Sequence, residues 1–155
     1  MIYRYKATNP KSKTFLRLYE AKTDTSLYRL HHFLQNDLSF APDQQVFFKT
    51  FTADGAPVHT YGLFDLGHGA MDQVRLEALV GRGETVVHYV FDAFNNRAII
   101  LQYEGEDEEL PRKVYPRTIQ ERGAAPDQFN EDASPLELHI EEIDPAELGI
   151  SEEDE

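Results

Sequence analysis

An α+β fold follows from three features of this 155-residue chain: strand-like alternation that recurs along most of its length, one well-patterned amphipathic helix, and a C-terminal segment without basic residues. The expected architecture is a single domain. It has a mainly antiparallel sheet of about five to six strands with one main helix packed on it. The core is assigned to residues 1–129 and an acidic tail to residues 130–155. A chain of this length buries roughly 68–70% of its unfolded surface. Ten Phe and eight Tyr within a 41% hydrophobic composition supply the material.

The elements follow in order. Ile2-Tyr3-Arg4-Tyr5-Lys6 and Phe15-Leu16-Arg17-Leu18-Tyr19 alternate large apolar groups with polar or smaller ones, and Asn9-Pro10-Lys11-Ser12 between them is turn chemistry, so an antiparallel hairpin is predicted. Asp24-Thr25-Ser26 then offers side-chain oxygens for a helix start. Leu27, Leu30, His31 and Leu34 fall on one helical face, which predicts a helix ending near Asn36. His31 lies inside that apolar stripe and is expected as a core histidine bonded to backbone, whereas His32 turns to solvent. Gln45–Phe51 reads as a buried aromatic strand, and Ala53-Asp54-Gly55-Ala56-Pro57 turns the chain into a strand over Val58–Phe64.

Asp65–Met71 is Gly-rich and reads as a loop, after which Asp72 is expected to cap a short helix over Val74–Val80 that Gly81 and Gly83 end. Thr85–Phe91 and Arg97–Tyr103 form a further strand pair. Asn95 and Asn96 between them suit a tight reversal, because Asn tolerates the left-handed conformation. Glu104–Glu109 reads as a solvated acidic turn, and Pro111–Phe129 as extended chain held by Tyr115, Ile119 and Phe129. The tail has no basic residue, which favours a self-repelling disordered segment. Within it Leu136, Leu138 and Ile140 alternate with Glu137 and His139, and Asp144-Pro145 resembles a helix start, so a free tail, docking on a sheet edge and docking on a partner all stand as readings.

Charge is segregated. The net value of −13 arises from 28 acidic and 15 basic residues; all the basic ones precede residue 126, where 16 acids accompany them. Near-neutrality of the core and an acidic tail disfavour direct nucleic-acid binding. The absence of Cys excludes disulfides, thiolate zinc sites and a cysteine nucleophile. No apolar run approaches the length of a membrane span, and the opening MIYRYKATNPKSK has no apolar signal region, so a cytoplasmic protein without membrane attachment, monomeric or homodimeric, is expected.

Six His and many carboxylates give the chain the side chains of a metal or acid–base site, but not the spacings. There is no His-Glu-x-x-His, no Asp-x-Asp-x-Asp-Gly, no Gly-x-Ser-x-Gly and no phosphate loop, so no cofactor, metal or catalytic residue is assigned. The residues that folding would have to bring together for a small metal-dependent hydrolase are His59, Asp65, His68, His88 and Asp92. At least three would have to converge, because zinc requires that many protein ligands. Irregular loops carry function more often than sheet faces. The candidate functional residues are therefore Asp92, Asn95, Asn96 and Arg97 in one turn, and Asp65 and His68 in the Gly-rich loop.

Four stretches carry a family resemblance: Phe15-Leu16-Arg17; Thr25-x4-Leu30-His31 with Phe40 after it; Leu76-x2-Leu79 leading to Tyr89-Val90-Phe91-Asp92; and Gly123-Ala124-Ala125-Pro126-x-Gln128. In order and spacing the chain resembles the plasmid Ri open-reading-frame-three-like family, bacterial and archaeal proteins often labelled insertion-element passenger proteins. It departs from that pattern after Asp92, where Ala93-Phe94-Asn95-Asn96-Arg97 replaces a Phe-Gly-Asp-x-Trp run, and at Thr118, where relatives commonly have Cys. The resemblance implies an antiparallel sheet carrying the Thr25–Asn36 helix and an association with mobile elements, but no particular activity. The leading expectation is a non-enzymatic domain that binds another macromolecule, a protein partner meeting it through the acidic tail. The alternatives are the metal-dependent hydrolase and a nucleic-acid-binding protein that uses Arg4, Lys6, Lys11, Lys13, Arg17, Lys22 and Arg29, with the tail as internal competitor.

Overall fold

A computed structural model of the chain describes residues 1–129. Its compact unit comprises Met1–Ala125, and Pro126 opens a second unit. The apolar island and helix start expected in the tail lie outside the described residues.

Alternation along the first two segments produces the hairpin of β1 (Ile2–Asn9) and β2 (Ser12–Lys22). Tyr3, Tyr5 and Tyr19 all turn inward, and the Tyr103 ring meets Tyr3 and Tyr5 edge-on at 5.2 and 5.8 Å. The main helix, α1 (Leu27–Asp37), begins at Ser26, whose Oγ accepts from the Arg29 amide at 3.1 Å. Its buried stripe is the expected one, Leu27, Leu30, His31 and Leu34. His31 is buried, but its partner is the Tyr89 hydroxyl, 2.9 Å from Nδ1, and not backbone. His32 is exposed and packs edge-on against Tyr28.

The chain then forms β3 (Phe47–Phe51), β4 (Pro57–Tyr61), a 3-10 turn at Met71–Gln73, α2 (Leu76–Gly81), β5 (Val86–Asp92), β6 (Arg97–Asp107) and β7 (Arg117–Arg122). Seven strands make one antiparallel sheet in the order β4-β3-β5-β6-β1-β2-β7, so the strand count exceeds the expectation. The added strand is β7, and β6 is longer than expected. β6 continues through the acidic run, pairing Glu106 with Tyr3 and Asp107 with Ile2, because the acids on this ladder remain exposed and Arg4 reaches Asp107. β7 pairs with the far side of β2 within a stretch that has little apolar alternation.

Asp72 does not cap α2. Arg75 stands at its N-cap and makes no side-chain cap bond, since backbone bonds position the helix: Leu27 N to Val74 O at 2.8 Å and Leu76 N to Thr25 O at 2.9 Å. Both helices pack on one face of the sheet, where Leu30, Leu34, Leu76 and Leu79 join Tyr19, Phe48, Tyr89 and Leu101 in a single core cluster. Polar ties reinforce this layer: Asp37, at the end of α1, accepts from the Tyr19 hydroxyl at 2.6 Å and from Thr118 Oγ1 at 2.9 Å. No helix among the described residues is long and apolar enough to cross a membrane.

Candidate functional site

The two loops singled out from sequence close on themselves. Asp92 accepts from the Asn95 amide (3.2 Å), Asn95 Nδ2 (3.0 Å) and Arg97 Nε (3.0 Å). Asn96 supplies the left-handed residue at φ +55°, and the Arg97 guanidinium covers the Phe91 ring at 5.0 Å. The Asn95 hydrogen bond leads the causes that hold the Asp92 carboxyl below its ordinary range. Asp65 likewise turns to its own loop and accepts from the amides of Gly67 and Gly69 at 2.7 and 3.0 Å. These carboxylates organise turns.

Of the five side chains from which a metal-dependent hydrolase would need at least three together, His59 and His68 meet with their rings stacked at 3.7 Å. Asp65 feels the His68 charge but accepts its hydrogen bonds from its own loop. His88 points to the opposite face of the sheet, and Asp92 belongs to the hairpin turn. Among the described residues no group of three His, Asp or Glu side chains is arranged to hold a metal ion.

A charged cluster lies beneath His59. Glu84, in the link from α2 to β5, is 1% exposed and accepts from Thr50 Oγ1 (2.6 Å), Tyr61 OH (2.9 Å) and Arg82 Nε (2.7 Å). Burial pushes its carboxyl up, but these hydrogen bonds outweigh burial and hold it below its ordinary value. Burial and Glu84 together push the Tyr61 phenol up to about 12. The Tyr61 oxygen also receives Arg82 Nη2 at 3.0 Å and has His59 Nδ1 at 3.2 Å. With the Tyr61 proton committed to Glu84, His59 donates from Nδ1. The cluster thus ties the edge strand β4 to β3 and to the end of α2. Glu84 escaped the sequence reading because a charged residue after Gly81-Arg82-Gly83 looks like a solvated turn. Beside it, an open cleft of about 460 Å³ is lined by residues that include Lys49, Phe51, His59 and His68.

The sheet face opposite the helices is the larger feature. Residues paired across strands share a face, and two adjacent rows on this outer face can be followed through all seven strands. One runs from Thr60 through Lys49, His88, Ile100, Thr8 and Leu16 to Arg122. The other runs from Pro57 through Phe51, Val86, Gln102, Lys6 and Leu18 to Gln120. Neither row contains an acid, and none of their residues belongs to the core cluster. Phe51, Val86, Ile100, Leu16 and Leu18 are half-buried, while Lys6, Lys49 and Arg122 are exposed. The Phe51 and His88 rings pack at 4.2 Å. Burial and then the neighbouring Lys49 lower the His88 imidazole below its ordinary value. In the next outer row Glu20, 4% exposed, is neutralised by Arg4 and Arg117, whose Nη2 atoms lie 2.5 and 2.8 Å from its carboxylate.

No family model matches the chain, and no curated protein matches it. Among solved structures it is similar to a crystallised protein of unknown function from Methanosarcina mazei Go1, with a TM-score of 0.70, 12% identity, and coverage of 90% of this chain and 78% of that one. That likeness shows the fold.

Proposed function

We propose that the protein is a non-catalytic domain that binds an anionic macromolecule on the outer face of its sheet. The observation that carries this reading is the pair of acid-free rows bearing Lys6, Lys49 and Arg122 amid half-buried apolar side chains. At an ionic strength of 0.1 M charges act over about 10 Å. A local cationic face therefore attracts a polyanion although the whole chain carries −13. The binding role expected from sequence is kept, but its seat moves from the acidic tail and the two candidate loops to the outer face, and its partner from a protein to a polyanion. A cytoplasmic location and the mobile-element association implied by the plasmid Ri family resemblance belong to the same reading.

Heparin supplies a generic polyanion for the test. The full chain is expected to be retained at 50 mM salt and released as salt rises, while Lys6→Glu combined with Lys49→Glu passes through unretained. Flow-through of the unaltered chain would overturn the reading, since an acidic protein has no other reason to stay on such a matrix.

A further inference from the structure

We infer that the macromolecule taken by the outer face is a single-stranded nucleic acid, whose bases stack on the Phe51–His88 rings while Lys6, Lys49 and Arg122 follow its phosphates. This inference rests on the reading of that face as a polyanion surface and adds the class of partner. Three properties select among polyanions.

First, flat groups sit among the cations. The Phe51 and His88 rings pack at 4.2 Å on a face that also presents the exposed amides of Gln102 and Gln120. Rings on a sheet stack unpaired bases, which all have a π-face, and amides serve base edges. An acidic peptide would use the cations but gain little from the rings.

Second, the rings and two of the cations lie inside the sheet. Phe51 and Lys49 are on β3, His88 on β5 and Lys6 on β1, all interior strands of the order β4-β3-β5-β6-β1-β2-β7. Extended peptides characteristically add to an edge, where unpaired backbone groups are available.

Third, the geometry suits one strand better than two. Lys49 on β3 and Arg122 on β7 share a row and are separated by five strand spacings, about 24 Å at roughly 4.8 Å each, with Lys6 between them in the adjoining row. That span accommodates a few nucleotides, the lower end of the roughly 4–16 that small single-strand modules cover. Reading a duplex major groove takes an inserted helix or two-stranded ribbon. On the described residues both helices pack on the opposite face.

The test is fluorescence anisotropy of labelled 12-nucleotide DNA and RNA single strands and of the matching duplex with the full chain, with polyglutamate as competitor. Three phosphate contacts give a slope of log affinity against log salt of about −2 for a single strand. Affinity should then fall about 20-fold between 50 and 200 mM salt. Phe51→Leu retains apolar bulk without the ring and should weaken single-strand binding at least about fivefold, a larger factor than any change in heparin retention. Lys6→Glu with Lys49→Glu should remove most of the salt dependence. The DNA and RNA arms identify the sugar, and either one showing this pattern supports the inference. Heparin retention with single-strand binding that is indifferent to Phe51→Leu, no tighter than polyglutamate, or weaker than duplex binding overturns the nucleic-acid assignment and leaves the polyanion surface standing. Loss of heparin retention as well removes both.

Discussion

Replacing Glu84 by alanine tests whether the buried cluster holds the edge strand. Tyr61 would lose the acceptor for its buried hydroxyl, and an unsatisfied buried donor costs about 1–3 kcal/mol. Thr50 is less exposed to loss, because its Oγ1 lies 3.3 Å from the His59 carbonyl and can donate there instead. The Arg82 side chain is 48% exposed, so its ion pair contributes only about 0–1 kcal/mol after solvent screening. Removing buried methylene adds about 0.8 kcal/mol per group. Together these place the destabilisation of Glu84→Ala near 3 kcal/mol, within a range of about 2–5. Glu84→Gln keeps an acceptor for Tyr61 and Thr50 but turns an amide toward Arg82, and should cost about 1–2 kcal/mol. Urea unfolding followed by circular dichroism measures both, with an unchanged m-value expected. The folded carboxyl lies below its unfolded value. Its contribution is therefore present above the ordinary Glu range near about 4.3 and disappears as pH falls through the folded value. Relative to the unaltered chain, Glu84→Gln should thus lose its disadvantage in acid. A loss under about 1 kcal/mol for Glu84→Ala, or equal losses for the two variants, would refute the argument from buried hydrogen bonds.

Other outcomes follow from the same structure. Burial pulls the His31 imidazole down to about 4; because the unfolded chain binds that proton more readily, stability should decline as pH falls from about 6.5 toward 4, and His31→Gln should flatten that decline in urea midpoints taken across the range. Gly123 sits at φ +77°, and a Cβ there would press into the Thr14 carbonyl, so Gly123→Ala should lower Tm by an amount reflecting at least about 1–2 kcal/mol of backbone strain and more from the clash. Asp92→Ala should destabilise by about 1–2 kcal/mol through its lost turn hydrogen bonds while leaving heparin retention unchanged; diminished retention would restore that turn as a functional element.

Much of the architecture was legible because it rests on local pattern. The Leu27, Leu30, His31 and Leu34 stripe marks α1, and alternation around an Asn-Pro turn marks β1 and β2. What escaped was set by distant partners. The Glu104–Asp107 extension of β6 is a strand because β1 lies beside it, and residues whose side chains remain in water need no apolar alternation. β7 is an edge strand and equally polar. α2 starts where the Thr25–Leu27 backbone pairs with it, so Asp72 is a good cap placed too early. The outer face was hidden for a related reason. Lys6, Lys49 and Arg122 are far apart in sequence, and a net charge averages away what the strand register gathers on one surface. Asp92 and Asp65 drew attention as polar loop residues, but their hydrogen bonds are local, which makes them turn formers.

The strand order also imposes a schedule on synthesis. β1 acquires its second neighbour only when β6 is made, and the ladder pairing Ile2 with Asp107 spans nearly the whole core. At translation rates of about 5–20 residues per second, the N-terminal hairpin waits on the order of 5–20 seconds with both outer edges unpaired. Contacts of such long range also slow folding, because loop closure must precede the burial that rewards it. The nascent hairpin of β1 and β2 therefore keeps exposed edges longer than a strand whose partners are made next to it. Charged residues along the hairpin, among them Arg4, Lys6, Lys13, Arg17, Glu20 and Lys22, are the kind that blunt edge-to-edge pairing.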